Sequence, residues 1–256
     1  MRSPLADVRA LLATGALLVA LAACSAEQPA TTSQQSAAPT HAVVLPTAAA
    51  TAEPVPAPEP APAHSVAEAS VAVVTAYDAP DGAVVSQFSH PIASGAPLTF
   101  YVEEQQGQWL RVRLPMRPNG TTGWVRSSDV TVSLLHYSLL VSTAGHTVTL
   151  VKDGVVQQTF PAAVGTGDTP TPLGDFYLTE LLAPTNAGYG PYAYGISAFS
   201  DVLNEFGGGP GQIGLHGTDD TDSVGQSASH GCIRLHNADI TTLANLLPLG
   251  TPITIE

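Results

Sequence analysis

The sequence predicts a mainly β protein with two folded domains behind a disordered N-terminal segment. Short runs rich in Val, Ile, Thr and aromatic residues recur from about residue 70 to the C-terminus, and turn residues such as Asp-Gly and Asn-Gly separate them. Only one segment, close to the C-terminus, has the periodicity of a helix. The length of 256 residues leaves room for two small domains.

The composition excludes two classes of partner. Lys and Arg number 8 against 21 Asp and Glu, which gives a formal net charge of -13. So acidic a chain cannot neutralise a run of phosphates, and we expect no nucleic acid as a partner. Electrostatic binding to an anionic membrane is disfavoured for the same reason, so any membrane attachment has to be covalent or apolar.

Residues 1–23 have the features of an export signal. Arg2 and Arg9 precede the apolar run 10–22, which is too short for the ~20 residues of a transmembrane helix. The run ends in Leu21-Ala22-Ala23-Cys24, which resembles the lipobox of bacterial lipoproteins. The resemblance implies a lipidated Cys24 and an extracytoplasmic protein that is anchored to the cell membrane and reaches into the cell wall. An ordinary secretory signal with an incidental Cys24 is the alternative.

Residues 24–67 are predicted to be a disordered linker. They are rich in Ala, Pro, Thr and Ser and nearly free of aromatic residues, so they cannot bury enough apolar area to offset the entropy of ordering. Alternating prolines favour an extended polyproline II conformation, which would hold the folded domains away from the membrane.

The first domain is predicted to span residues 68–132. Its candidate strands are separated by turns and lie at 71–77, 83–88, 98–102, 108–114 and 123–125. In 108–114 the apolar residues alternate, so that one face packs and the other faces outward. Together with Gly123-Trp124-Val125 this pattern resembles the bacterial SH3-like modules, which implies a small β-barrel.

The second domain is predicted to span residues 134–256. Its candidate strands lie at 137–142, 146–151, 155–160, 176–182 and 252–255. The helix is predicted to begin with Asn237 as its N-cap and to end at Pro248. One apolar stripe of this helix is formed by Ile240, Leu243, Ala244 and Leu247.

Cys232 is the candidate nucleophile of the second domain. A thiol with an ordinary pKa of about 8.5 is mostly protonated at neutral pH, so it needs a neighbouring base in order to attack a carbonyl. His216 and His230 are both candidate bases. His230 is two residues from Cys232, and side chains two apart on an extended strand point the same way. The backbone N–H groups of Gly231 and Cys232 are candidate donors for an oxyanion hole.

The segments around these residues resemble the YkuD-type L,D-transpeptidases. They are His216-Gly217-Thr218 and the downstream Ser229-His230-Gly231-Cys232-Ile233-Arg234-Leu235, with the leading segment 164–176. The resemblance implies a β-sandwich catalytic domain with a few short helices. It also implies that Cys232 is the nucleophile, that His216 rather than His230 is the base, and that the Gly217 carbonyl orients the imidazole. The backbone around His230, Gly231 and Cys232 would bind the oxyanion, and the His230 side chain would shape the site.

Four further residues are candidates for shaping the site or contacting substrate. Arg234 would hold a substrate carboxylate, or would form a structural ion pair with Asp219, Asp220 or Asp222. Ser229 is a candidate contact that would otherwise act as a turn hydrogen-bonder, and Gly217 is a candidate contact as well. Tyr192 lies in the Gly- and Tyr-rich span 189–194, which we expect to be a substrate lid.

A metal centre is the less favoured interpretation of the same residues. His216, His230, Cys232 and His236 offer nitrogen and sulfur ligands, but their spacing is not one of the patterns of structural zinc. No dinucleotide or Walker-type motif is present in the sequence. We therefore expect neither a metal nor a cofactor.

The resemblance implies a transferase of cell-wall biogenesis that acts on peptidoglycan stem peptides. Cys232 would attack the peptide bond before the terminal D-alanine of a tetrapeptide and form a thioester, which a side-chain amine of a second strand would resolve into a cross-link. Carbapenem-type inhibitors are expected to acylate the same sulfur. Two alternatives stay open: an L,D-carboxypeptidase that gives the thioester to water, and a non-catalytic wall-binding lipoprotein.

Overall fold

Seven antiparallel strands form the first sheet in the computed structural model, which describes residues 63–206 and 208–256. The predicted signal segment, the predicted lipidation site Cys24 and the predicted linker as far as residue 62 lie outside the described residues. The sheet order is β3-β2-β6-β5-β4-β1-β7. The strands are β1 (His64–Ala69), β2 (Val73–Tyr77), β3 (Val84–Ser89), β4 (Thr99–Gln106), β5 (Trp109–Arg113), β6 (Thr122–Arg126) and β7 (Val130–Leu135).

The first sheet begins earlier than the sequence predicts. The predicted linker includes residues 64–67, but these residues belong to β1, which pairs with β4 on one side and with β7 on the other. Val66 and Ala67 are buried by this pairing. Their small apolar side chains resemble the composition of the linker, so the long-range pairing decides their structure rather than the local pattern.

Ten strands and one α-helix form the second part of the described chain. The main sheet has the order β10-β9-β8-β17-β12-β13-β14-β16, and β11 and β15 form a separate parallel pair. In the main sheet the pairs β8–β17 and β14–β16 are parallel. The elements are β8 (Tyr137–Ser142), β9 (Thr147–Lys152), β10 (Val155–Pro161), β11 (Val164–Gly165), β12 (Gly174–Leu182), β13 (Ala193–Phe199), β14 (Gln212–Thr218), β15 (Ser227–Ser229), β16 (Ile233–His236), α1 (Asn237–Ala244) and β17 (Pro252–Ile255).

The predicted fold class, mainly β with a few short helices, is confirmed. Three 3-10 turns, at Ser127–Asp129, Ala187–Tyr189 and Thr221–Ser223, add the remaining helical residues of the described chain. Every strand predicted from the sequence is present with bounds shifted by a few residues at most, except that Thr99–Gln106 extends further than predicted. No helix in the described ranges combines the length and the apolar composition that a membrane crossing requires.

Helix α1 packs on the strands that carry the candidate site. Ile240, Leu243 and Leu247 are buried in the core of the second sheet, as the predicted apolar stripe requires. The N-cap position belongs to His236, and Asn237 is the first helical residue, so the predicted cap is wrong by one position. The Asn237 side chain instead donates a 2.7 Å hydrogen bond to Asp219, which is why it is not free to cap the helix.

The turn between β5 and β6 joins the two sheets. The Asn119 amide donates to the Phe199 carbonyl over 2.7 Å and accepts from the Phe199 N–H over 2.9 Å, as a neighbouring strand would. Arg117 donates to the carbonyls of Pro210, Ser200 and Leu203 at 2.7, 3.0 and 2.9 Å. The first sheet therefore fixes the loop that connects β13 to β14.

Asn119→Ala tests this connection. The variant leaves the N–H and C=O of the buried Phe199 without partners, so the free energy of unfolding falls by about 1–3 kcal/mol. Hydrogen exchange of the amides in residues 199–212 becomes faster, whereas the core of the first sheet is unchanged. Gln157→Ala, an exposed side chain whose bond stays within its own strand, is the control. Unchanged exchange in residues 199–212 would show that the turn does not fix the loop.

Candidate active site

The pairing of β14 with β16 positions the candidate nucleophile. The two strands are parallel, with Leu215 opposite Ile233 and His216 opposite Arg234. Cys232 immediately precedes β16, so this register brings it level with Gly214. The Gly214 N–H lies 3.4 Å from the Cys232 Sγ and donates to it. The buried Ile233 and Leu235 hold β16 in the core and leave Cys232 on the opposite face.

His216 is held in one tautomer by its own chain neighbour. The ring is buried, and Nδ1 lies 2.7 Å from the Gly217 carbonyl oxygen. A carbonyl can only accept a hydrogen bond, so Nδ1 carries the proton and Nε2 keeps its lone pair in the neutral ring. The resemblance predicts that the Gly217 carbonyl orients the imidazole, and the hydrogen bond has the geometry for that role.

The free edge of the imidazole faces the sulfur. A Cβ atom built on Gly214 would lie 3.5 Å from His216 Cδ2 and 3.7 Å from Cys232 Sγ, so both atoms border the space above this glycine. Cδ2 is bonded to Nε2, whereas Nδ1 points to the Gly217 carbonyl. The nitrogen with the free lone pair is therefore bonded to the ring atom that borders the same space as the thiol.

Burial keeps the thiol and the imidazole neutral. It lowers the pKa of His216 to about 4, an effect that the hydrogen bond to Gly217 opposes and the nearby Arg234 charge increases. It also raises the pKa of the Cys232 thiol, against the smaller lowering effects of the Gly214 N–H and Arg234. At neutral pH the site therefore holds a protonated thiol beside a neutral base. Such a pair can pass the thiol proton to Nε2 as the sulfur attacks.

A cavity of about 430 Å³ opens on Cys232. Gly214, Tyr189, Phe206 and Glu180 are among the residues that line it. The Tyr189 ring lies 4.6 Å from the His216 ring at an interplanar angle of 47° and covers the imidazole. A partly apolar cavity with a nucleophile at its wall is the usual form of a small-molecule or peptide site.

The loop before Cys232 corrects one predicted role. The Gly231 N–H donates over 3.1 Å to Ser229 Oγ, which in turn donates over 2.5 Å to the Cys232 carbonyl. Gly231 N–H is therefore already engaged and is not available to an oxyanion in this arrangement. Ser229 has the geometry of a turn hydrogen-bonder. Thr171 lies in the leading segment 164–176, although the sequence predicts no role for it, and its hydroxyl donates over 2.9 Å to the Gly231 carbonyl and braces the same loop.

His230 does not lie on an extended strand. Its role as the base would require one, because only there would its side chain point the same way as Cys232. Strand β15 ends at Ser229, and Gly231 has a φ of +114°, which breaks the alternation between residues 230 and 232. The exposed His230 ring stacks on Phe206 at 5.1 Å. The structure therefore brings His216, and not His230, into the pair with Cys232.

Tyr192 and Arg234 lie close to the site in different ways. Tyr192 packs against the hydrophobic core, and its carbonyl accepts from the Gly217 N–H over 3.2 Å. From the predicted span 189–194 the cavity is bordered by Tyr189, Ala193 and Tyr194, and not by Tyr192. Arg234 Nη1 lies 3.8 Å from an Asp220 oxygen, a long ion pair, and its buried Nε has no hydrogen-bond partner among the described residues.

The four possible metal ligands of the sequence do not form one cluster. Within the described part of the chain, no three His, Cys, Asp or Glu side chains come together in a way that could hold a metal ion. His216 already uses Nδ1 on the Gly217 carbonyl, and His236 occupies the N-cap position of α1.

Comparison with known proteins places the second sheet in a family. Residues 136–255 match the family model for the L,D-transpeptidase catalytic domain, YkuD. The YkuD protein of Bacillus subtilis, described as a candidate L,D-transpeptidase, is 35% identical over 120 residues, which are 47% of this chain and 66% of that protein. The candidate L,D-transpeptidase YqjB of Bacillus subtilis is 30% identical over 131 residues, which are 46% of this chain and 69% of that protein. The chain thus spans just under two thirds of the Bacillus YkuD protein.

Two solved structures match part of the chain with TM-scores below 0.5. L,D-transpeptidase 3 of Mycobacterium tuberculosis, in complex with a faropenem-derived adduct, is 18% identical with a TM-score of 0.41, over 53% of this chain and 73% of that chain. Bd1075 of Bdellovibrio bacteriovorus is 28% identical with a TM-score of 0.37, over 47% of this chain and 48% of that chain. The family match itself begins just before β8 and ends with β17, so the first sheet lies outside it.

The neutral burial of His216 predicts a pH dependence of stability. The unfolded chain binds a proton near the ordinary pKa of 6.5, whereas the folded chain does so only near 4. The free energy of unfolding therefore falls as the pH drops from about 6.5 to about 4, by about 3 kcal/mol from this group. His216→Gln removes the titration, so denaturant unfolding of this variant has a shallower slope against pH. Equal slopes in the two proteins would contradict the neutral burial.

Proposed function

The chain belongs to the L,D-transpeptidase family with a YkuD-type catalytic domain, and on this premise we propose that it is a peptidoglycan L,D-transpeptidase that works through a thioester on Cys232. The observation that carries the proposal is the neutral thiol–imidazole pair, with the free edge of His216 and the Cys232 sulfur both bordering the space above Gly214. Its protonation states and its position on a cavity suit acyl transfer.

The first half-reaction transfers the acyl group to sulfur. As Cys232 Sγ attacks the carbonyl carbon before the terminal D-alanine, its proton passes to His216 Nε2 and a tetrahedral oxyanion forms. The C–N bond then breaks, and His216 returns the proton to the leaving nitrogen, so that D-alanine departs as a neutral amine. We assign the stabilisation of the oxyanion to the backbone N–H of Cys232, because that of Gly231 is bound to Ser229.

The second half-reaction releases the acyl group. A side-chain amine of a second stem peptide attacks the thioester carbon and loses a proton to His216, and the thiolate leaves and is reprotonated. The buried surroundings of His216 and its Tyr189 cover favour this amine over water, because they keep bulk solvent from the base. The product is an amide cross-link between the two peptides, and Cys232 is regenerated.

The location proposed for the enzyme rests on the N-terminal sequence alone. The apolar run 10–22 and Cys24 support export and lipid anchoring, and the Pro-rich linker supports reach into the cell wall. A role in binding the wall is a further proposal for the first sheet, on the basis of its resemblance to SH3-like modules.

Cys232→Ala tests the thioester. With a tetrapeptide donor and an amine acceptor, the wild-type chain releases D-alanine, forms a cross-linked product and gains one acyl mass. A carbapenem likewise adds one adduct mass to Cys232. Cys232→Ala shows none of these reactions, while its melting temperature stays within a few degrees of wild type. Cys24→Ala, the control at the other cysteine, behaves as wild type. D-alanine release by Cys232→Ala would refute the mechanism. Tripeptide as the sole product in the presence of acceptor would instead identify a carboxypeptidase.

A further inference from the structure

Four residues on neighbouring strands form one row across the second sheet. Glu180 on β12 pairs with Gly195 on β13, and Gly195 pairs with Gly214 on β14. The register of β14 with β16 continues the row to Cys232. Residues paired directly across strands project to the same face of a sheet, so the row connects Glu180 to the nucleophile along the face that carries the cavity.

The two residues in the middle of this row are glycines, which have no side chains of their own. A Cβ atom on Gly195 would lie 2.8 Å from both Cγ and Oε1 of Glu180 and 3.0 Å from Gln212 Nε2, so the carboxylate side chain lies over this glycine. A Cβ on Gly214 would lie 3.7 Å from Cys232 Sγ. Because side chains paired across two strands are about 4.5–5.5 Å apart, the Glu180 carboxylate is at most about 12 Å from the sulfur.

Glu180 has no positive partner within the described residues. It is the only charged side chain among the residues that line the cavity on Cys232, and none of the ion pairs of the described chain includes it. None of the six described cations pairs with Glu180. Arg111 and Arg113 contact Glu103, Arg126 contacts Asp81, Arg234 contacts Asp220, Arg117 binds backbone carbonyls and Lys152 lies over Tyr137. A carboxylate in a cleft without a counter-ion is stabilised by a ligand that brings one.

We propose that Glu180 binds a side-chain ammonium group of the stem-peptide substrate. This inference rests on the function proposed above and specifies what the cavity recognises. An ammonium on a four-carbon side chain lies roughly 6–7 Å from the carbonyl carbon of its own residue. An ammonium and a carboxylate in contact are about 3 Å apart. The side chain of a donor residue bound to Cys232 is therefore long enough to bring its ammonium to the Glu180 carboxylate.

The charges at the two ends of the row also orient the donor peptide. Arg234 follows Cys232 by two residues on β16, at the end of the row opposite to Glu180. A donor with an ammonium on its acyl side and a carboxylate on the leaving D-alanine matches this polarity in one direction only. The reversed peptide would bring its carboxylate toward Glu180.

Glu180→Gln removes the charge and keeps the shape of the side chain. The readout is D-alanine release from two tetrapeptide donors, one with a free side-chain amine and one with that amine acetylated. For the free-amine donor we expect kcat/KM to fall roughly tenfold in the variant, the size of a partly desolvated charge pair. For the acetylated donor wild type and variant are equal. Added salt weakens only the wild-type preference, because it screens the pair.

A second arm separates the donor ammonium from the acceptor amine. The acceptor concentration is varied at saturating acetylated donor, and the KM for acceptor is compared between wild type and Glu180→Gln. A raised KM in this arm with unchanged donor kinetics assigns the ammonium to the acceptor. Glu68→Gln, an exposed glutamate of the first sheet that is outside every described ion pair, is the matched control in both arms.

Two outcomes overturn the inference. Either Glu180→Gln leaves both donors and the acceptor unchanged, or it lowers kcat/KM for the free and acetylated donors by the same factor, which would indicate a structural role. A β-lactam without an amino group monitors the nucleophile and acylates Cys232 at one rate in all variants. Acylation by this β-lactam without D-alanine release from either donor in wild type would instead refute the proposed function itself.

Discussion

The parallel register between β14 and β16 is the constraint on which the candidate site depends. It sets His216 opposite Arg234 and brings Cys232 level with Gly214, so that base and nucleophile meet over a residue without a side chain. Because side chains alternate along a strand, a slip by one residue would turn Cys232 into the core and an apolar side chain toward the base. The fully buried Ile233 and Leu235 prevent this slip, since exposing two such side chains costs several kcal/mol, at about 1.5–3 kcal/mol each.

Burial has a second consequence for a thiol that is proposed to work outside the cytoplasm. The thiolate is the form that oxidants and disulfides attack, and burial raises the pKa of Cys232 so that little thiolate is present at rest. The same burial keeps His216 unprotonated and able to act as a base. In the proposed mechanism the sulfur therefore loses its proton only as it attacks a substrate carbonyl. The long Arg234 contact with Asp220 leaves positive charge near the sulfur without converting the pair to ions.

The sequence predicts those elements whose structure depends on the pattern of neighbouring residues. Alternating strands such as Tyr137–Ser142 and the buried stripe of α1 follow from the sequence, as does the pairing of a histidine with Cys232. Strands β13 and β14 do not, because Gly195 and Gly214 weaken the strand signal where the cavity lies, and Gly217 weakens it where β14 packs closely on Asn237 and Ile240. Glu180 has no sequence signal for a related reason. It reaches the cavity only through pairing across four strands, and no spacing along the chain records that pairing.

The central claim is that Cys232 and His216 rest as a neutral pair, and the rate of Cys232 alkylation against pH measures it directly. The reagent is iodoacetamide, and the rate is followed by mass on the peptide that contains Cys232, in wild type and in His216→Gln. A single rise in rate with a midpoint above the ordinary thiol pKa of about 8.5 is the predicted result. A reactive plateau between about pH 5 and 7 that disappears in His216→Gln would show a thiolate–imidazolium pair and contradict the account.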